Sequence, residues 1–345
     1  MTWMLYGATG YTGRLIARRA AARGERVVLA GRSIAKVAPL AAELGLEHRI
    51  FGLSDPVALR RALEGVESVA HCAGPFSATA LPMALACIET GTHYLDITGE
   101  IDVFEQLHAL DGQARAAQVV LLPGAGFDVV PTDCLAATVA AALPAANRLD
   151  LAILVGGTAS PGTARTAIEG LPDGGRARID GTISAVPMGW RRTRAAFPSG
   201  PRMVTSIPWG DVSTAFHSTA IPNITTYMPL PPGAAAFSKV MRLRPARILA
   251  HAAVGALVRG PSAKALAGTR SEAWARASDP EGRSAQATVT MPNSYELTVE
   301  SVLRIMPRLA GLPHGSQTPS RALGAGFITE FSGVTLTESG AKRGW

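Results

Sequence analysis

The first fifteen residues, MTWMLYGATGYTGRL, constrain the fold of this chain more than any other stretch. Trp3 to Tyr6 is a short apolar run, and Gly7, Gly10 and Gly13 follow at intervals of three. From Leu15 onward apolar and small residues (Leu15, Ile16, Ala17, Ala20) recur with a helical period. The pattern predicts a buried strand, a tight glycine turn and a helix. Glycines let the backbone of such a turn come close to a pyrophosphate. The N–H groups that open the helix then face the phosphate oxygens, where the helix dipole favours negative charge. The spacing G-x-x-G-x-x-G is a variant of the better-known G-x-G-x-x-G. Gly7, Thr9, Gly10, Tyr11, Thr12 and Gly13 are therefore the candidate phosphate-cradle residues.

The second predicted strand, 26–31, ends in Arg32-Ser33. In a dinucleotide fold an acidic residue about twenty positions past the glycines binds the adenosine ribose. Arg32 holds that place here, nineteen residues after Gly13, with the Ser33 hydroxyl beside it. A guanidinium pairs with a 2′-phosphate that a carboxylate would repel. NADP(H) is thus the expected cofactor, against the plain reading of an arginine solvated at a strand end. A helix over 34–44 and a strand over 47–53 follow. Asp55 stands either to bond the adenine amino group or to cap the helix that starts at Pro56. A helix over 57–63 and a strand over 68–73 then lead into Cys72-Ala73-Gly74-Pro75-Phe76. Ligands of an open parallel sheet lie beyond the carboxyl ends of its strands. Ala73, Gly74, Pro75 and Phe76 are therefore placed to line the path from the phosphates to the nicotinamide. A helix over 81–89, a strand over 93–100, a helix over 105–117 and a strand over 119–122 complete the series. Strands alternating with helices over 125 residues predict a Rossmann-type doubly wound parallel sheet.

Beyond a helix expected over 132–143 the pattern changes to strands, at 149–155, 178–185, 203–208, 212–218, 224–228, 271–277 and 285–291. Gly/Pro-rich joints at 170–175 and 198–201 separate several of them. A mostly antiparallel sheet in an α+β domain follows from this. Helices are expected over 234–260 and 295–309, and Thr318-Pro319 reads as N-cap and first residue of a last helix reaching about 330.

Composition removes several function classes. The 345 residues are 47% hydrophobic and 17% charged, which excludes a disordered chain. Net charge is +7, yet the arginines are scattered and no nucleic-acid-binding motif accompanies them, so no nucleic-acid partner is expected. Cys72, Cys87 and Cys134 lie in apolar contexts without C-x-x-C or histidine spacing. They read as reduced core residues of a cytoplasmic protein with no metal site. No leader is expected before the first strand, and the apolar run 248–258 is too short to span a bilayer. That run leaves room for a peripheral membrane contact or a homodimer interface.

GATGYTGRL at 7–15, AGR at 30–32, CAGPF at 72–76, YLDITGE at 94–100 and PGAGFDVVPTD at 123–133 resemble the saccharopine dehydrogenase-like oxidoreductases. Within that group they resemble the branch containing the bacterial trans-acting enoyl reductases. The resemblance is dense to about residue 140 and thin thereafter. It implies an NADP-binding domain over 1–125, on which a C-terminal helix at about 318–330 packs back, and an inserted substrate or dimerisation domain over 126–317. It also implies an NADPH-dependent reductase delivering hydride to a C=C or C=N bond. Few charges between 215 and 258 point to a small or hydrophobic substrate. The alternatives are a saccharopine-type amino-acid or imine dehydrogenase, with Arg165, Arg191 and Arg192 as carboxylate clamps, and a non-catalytic NADP(H)-binding redox sensor. Tyr94, Glu100 and Asp128 are the candidate proton-handling residues, among acids at the strand ends that include Asp96 and Asp133. Asp128 or Thr132-Asp133 equally suits a helix cap, and Tyr94 and Asp96, sharing a strand face, equally suit a buried structural bond. His217, His251 and His314 lack metal-ligand partners in the sequence.

Overall fold

The computed structural model describes residues 2–157, 174–230 and 268–343, with the single positions 243, 245, 246, 248, 250 and 266. Arg165, His251 and nearly all of the helical stretch expected over 234–260 lie outside the described residues. The chain divides into two compact units, Met1–Val130 with Tyr295–Leu323, and Pro131–Ser294 with Gly324–Trp345.

In the first unit, strands β1 (Trp3–Tyr6), β2 (Val27–Gly31), β3 (Glu47–Ile50), β4 (Ser68–His71), β5 (His93–Asp96) and β6 (Val120–Leu122) alternate with helices. The helices are α1 (Tyr11–Ala22), α2 (Ile34–Leu44), α3 (Pro56–Leu63), α4 (Phe76–Thr90), α5 (Ile101–His108) and α6 (Asp111–Ala116). All pairings are parallel, in the order 3-2-1-4-5-6. Strands covered on both faces read as unbroken apolar runs, and β1 is buried at all four positions. Met4, Tyr6, Val28, Val69 and Tyr94 meet Leu59, Leu63, Met83, Cys87, Val103 and Leu107 in one core. The single helix expected over 105–117 is two, broken at Ala109-Leu110.

Residues 295–317, expected in the substrate domain, pack with this first unit. A two-residue strand, Gly315–Ser316, pairs parallel with β6 and makes a seventh strand that the sequence pattern did not suggest. The Ser316 amide also donates to Asp111 at 2.8 Å. A helix over Ser294–Ile305 is tied to α1 by Glu300, which accepts from Arg19 and Arg23 at 2.7 Å each. A 3-10 turn, Met306–Gly311, continues it.

The second unit opens with α7 (Val130–Ala142) and carries a nine-stranded sheet. Its strands are β7 (Arg148–Leu154), β8 (Gly175–Ile179), β9 (Thr182–Val186), β10 (Arg192–Phe197), β11 (Gly200–Ile207), β12 (Asn223–Met228), β13 (Arg270–Ser278) and β14 (Arg283–Pro292). A last strand at the C-terminal end, Thr335–Arg343, was unforeseen and pairs with β14. Every pairing is antiparallel except β7 with β12.

Two sequence expectations fail in this unit, and a third fails where the chain passes between the units at Gly324. The strand at 178–185 is a hairpin, because Asp180 and Gly181 take positive φ (47° and 81°) and turn the chain in two residues. The strand at 212–218 is a helix, α8 (Asp211–Thr219). Its β-branched and hydroxyl residues suggest extended chain. Packing overrides that preference: five of its residues are buried, and buried Arg178 from β8 donates to the Val212 carbonyl at 2.9 Å. The last helix is cut at Gly324 into Pro319–Leu323 and a 3-10 turn over Ala325–Glu330. Thr318 does cap the first piece, its hydroxyl accepting from the Arg321 amide.

At the centre of the second sheet Asp150 is wholly buried. It accepts from Arg148 (3.1 Å), Arg276 (2.8 Å) and the Tyr227 hydroxyl (2.9 Å). Its carboxylate neutralises half of the two guanidinium charges and holds three neighbouring strands. Both guanidiniums keep solvent contact, so removing Asp150 mainly forfeits three hydrogen bonds and leaves the buried Tyr227 hydroxyl unpaired, which typically costs about 1–3 kcal/mol. Asp150→Ala is expected to lower the unfolding free energy by that order, read from urea denaturation.

Candidate functional site

Because every strand of the first sheet runs the same way, the segments after β1, β2, β4, β5 and β6 emerge at one edge. Gly7 follows β1 with φ +85°, and a Cβ there would lie 2.7 Å from the Cys72 carbonyl carbon. Gly13 is buried, and a Cβ on it would strike the Gly7 carbonyl and come within 3.0 Å of the Ala8 Cα. The turn is closed by the Gly10 amide on the Gly7 carbonyl at 3.0 Å. Gly10 is the N-cap of α1 and offers no side-chain cap, and the first turn of α1 holds no acid. Its amides thus open at an edge where Gly10 is exposed and Thr9, Tyr11 and Thr12 are half-buried. Arg32 is exposed directly after β2, with half-buried Ser33 as the N-cap of α2. No carboxylate occupies that position, and an uncapped helix start beside a free-standing guanidinium suits a doubly phosphorylated ligand. Asp55 caps α3, accepting from the Val57 and Ala58 amides at 2.9 and 3.1 Å.

The segment after β4 is held from two sides. Glu100, at the N-cap of α5, accepts from the Phe76 and Ser77 amides at 3.0 and 2.8 Å. It therefore closes the N-terminus of α4. The Thr79 hydroxyl lies 2.7 Å from the Ala73 carbonyl and 2.9 Å from that of Pro75. Gly74 and Pro75 are exposed, and Ala73 and Phe76 half-buried, at the same edge as Gly10 and Arg32.

Tyr94 lies beneath this edge rather than on it. It is fully buried, and its hydroxyl donates to Asp96 at 2.7 Å, the structural bond that the shared strand face allowed. Asp96 also accepts from the Thr98 and Gly124 amides at 2.9 Å each, so it fastens the 123–128 turn to the end of β5. Burial outweighs these donors and pushes the Asp96 carboxyl up to about 6. Its burial, and then the proximity of that acid, push the Tyr94 hydroxyl well above its ordinary range. Asp128 is half-buried against Gly99, and burial raises its carboxyl to about 6 as well. Asp133 belongs to the second unit, where it bonds Ser218, and Thr132 donates to Asp211 at 2.9 Å. The sequence reading passed over His71, the last residue of β4, which is buried and reaches Thr79 at 3.0 Å. An apolar strand ending in histidine was its one visible signal.

Residues 3–122 match the model of the saccharopine dehydrogenase NADP binding domain. The match spans the alternating strands and helices of the first unit, β1 to β6. A trans-acting enoyl reductase of Mycobacterium leprae is 35% identical over 140 residues, covering 38% of this chain and 33% of that protein. One of Mycobacterium tuberculosis is 33% identical over 144 residues, with the same coverage. The matched region spans about a third of the length of these curated relatives. Among solved structures, the saccharopine dehydrogenase (L-Glu forming) of Saccharomyces cerevisiae aligns with a TM-score of 0.67. The alignment covers 98% of this chain and 99% of that one at 14% identity. The homospermidine synthase of Legionella pneumophila, in complex with NAD, aligns at 0.66, covering 98% and 91% at 11% identity. These two likenesses are of fold. No helix among the described residues is long and apolar enough to cross a membrane.

The buried acid makes a measurable prediction. A carboxyl whose pKa is raised on folding lets the native state hold more protons than the unfolded one between about pH 4 and 6. Stability therefore falls as pH rises through that window. For Asp96, raised from 3.8 to about 6, the loss is about 3 kcal/mol. Asp96→Asn has no such term, so the wild-type minus variant difference in unfolding free energy should drop by that order from pH 4 to pH 7.

Proposed function

We propose that the chain is an NADPH-dependent reductase that delivers hydride to a C=C or C=N bond of a small or hydrophobic substrate, acting in the cytoplasm. The observation that carries this reading is the uncapped start of α1 beside exposed Arg32 on one sheet edge, in a domain that matches an NADP-binding model. Gly7, Gly10 and Gly13 would bring the backbone against the pyrophosphate, with Thr9, Tyr11 and Thr12 around it. Arg32 and Ser33 would hold the 2′-phosphate, and Ala73 to Phe76 would wall the nicotinamide. NADPH, when bound, supplies the hydride. The chain's own task is to orient that ring, exclude water and deliver one proton.

Of the three proton candidates, Tyr94 is committed to Asp96 beneath the edge, and Glu100 is committed to the start of α4. Asp128 is the residue we assign to proton delivery. It stands at the edge, and its pKa of about 6 lies near working pH, where a general acid or base is most effective. We assign substrate binding and dimerisation to the second unit. The engagement of Tyr94 and Glu100 also supports a second reading, an NADP(H)-binding redox sensor without turnover; reduction of any enoyl or imine compound removes it.

Titration with NADPH and NADH, followed by nicotinamide fluorescence, tests the cofactor. NADPH should bind at least tenfold tighter, and Arg32→Asp should abolish that preference; equal affinity in the wild type overturns the role of Arg32. Asp128→Asn should lower kcat by about a hundredfold, the size of one positioned proton transfer, with NADPH affinity retained. Unchanged kcat would assign the proton elsewhere.

A further inference from the structure

We propose that His71 and Thr79 are positioning residues of the nucleotide cradle: a neutral His71, protonated at Nε2, donates to the Thr79 hydroxyl, whose own proton then holds the Ala73 carbonyl. The proposal rests on the reading of residues 73–76 as cofactor-lining.

The direction of each bond follows from what the groups can do. The Ala73 and Pro75 carbonyls only accept, so the single hydroxyl proton of Thr79 points at them, at 2.7 and 2.9 Å. The Thr79 oxygen must then accept from His71 Nε2 at 3.0 Å, which places the imidazole proton on Nε2. His71 Nδ1 has no hydrogen-bond partner, as suits a bare lone pair, because a buried N–H left unpaired is the costlier arrangement. Burial keeps the ring neutral, its pKa pushed down to about 3.

A threonine bonding the carbonyl four residues back, as Thr79 does with Pro75, is ordinary helix behaviour. Reaching Ala73, six residues back and outside α4, is not. With Glu100 on the Phe76 and Ser77 amides, the Thr79 contact fixes the segment at both its carbonyls and its N–H groups. His71 in turn is locked by Tyr6, Tyr94 and, edge-on at 5.4 Å, Phe76. The rigid core thus sets the path of exposed Gly74 and Pro75 through one histidine and one hydroxyl.

Thr79 is half-buried, so Thr79→Val removes the hydroxyl at nearly constant shape, and Thr79→Ser keeps it. NADPH titration of the two variants should show at least tenfold weaker binding for valine, in a chain that still unfolds cooperatively with a melting temperature lowered by the loss of the acceptor for His71 Nε2–H, and binding within twofold of wild type for serine. His71→Gln, which can present an N–H near the Nε2 position, should retain more affinity than His71→Leu. Nitrogen-15 NMR of the histidines should find His71 as the Nε2–H tautomer. Wild-type affinity in Thr79→Val, or an Nδ1–H tautomer, overturns the proposal while leaving the NADP reading intact. Failure of the wild-type chain to bind NADPH overturns that reading itself.

Discussion

The backbone of Gly7 lies so close to that of Cys72 and Ala73 that a Cβ on it would come within 2.7 Å of the Cys72 carbonyl carbon. This approach is where the fold and the site become one problem. β1 and β4 are neighbours in register, Tyr6 opposite His71, and a strand order of 3-2-1-4 sends the connections after them to opposite faces of the sheet. The two segments diverge immediately beyond their last paired residues, and only a residue without Cβ and at ease with positive φ lets them separate from contact. Gly13 repeats the constraint one turn into α1, where the helix packs on the Gly7 carbonyl. A larger residue at either position would displace the turn or the start of α1.

Around that crevice the chain spends hydrogen bonds on fixing its own backbone. Asp96 holds two amides and a phenol, Glu100 holds two amides, and Thr79 reaches two carbonyls. A cleft that must hold a flexible dinucleotide in one orientation gains from walls that do not move, since ordering them beforehand lowers the entropic cost of binding. The burial that raises the pKa of Asp96 is the cost of that order. Hydrogen bonds of this kind, beneath an edge of exposed glycine and proline, restrain all three segments they touch.

Much of this was legible in the sequence where cause and effect are near neighbours in the chain. The strand, turn and helix of residues 3–22 follow from glycines three apart, and α2 occupies 34–44 as its apolar period requires. The shared face of Tyr94 and Asp96 is a two-residue spacing, and so is their bond. The Asp180-Gly181 turn was equally local, yet the surrounding Arg/Ala/Ile run masked it as one strand. What the sequence could not display are meetings across distance. Glu100 reaches an amide 24 residues away, and Gly315 joins a strand end nearly 200 residues earlier. Residues 211–219 form a helix whose first five residues are buried and whose Val212 carbonyl meets Arg178 from β8, contacts that their own preferences do not announce.

The four helices that start at the carboxyl edge beyond β1 to β4 do not offer equivalent N-termini. α3 is closed by Asp55 and α4 by Glu100, each with a carboxylate on two opening amides. α1 and α2 begin at Gly10 and Ser33 with no side-chain cap, and Arg32 stands immediately before the second of them. A helix N-terminus carries about half a positive charge, and a carboxylate placed on it satisfies that charge internally. Positive potential is therefore cancelled beside the 73–76 segment and retained beside Gly10 and Arg32. An anion entering this edge is driven to one side of it, towards α1 and α2. The uncharged wall of Gly74, Pro75 and Phe76 is left for the part of a ligand that carries no phosphate. In this way two carboxylates bonded to helix amides give the crevice a polarity, and with it a direction in which a molecule with phosphates at one end must lie.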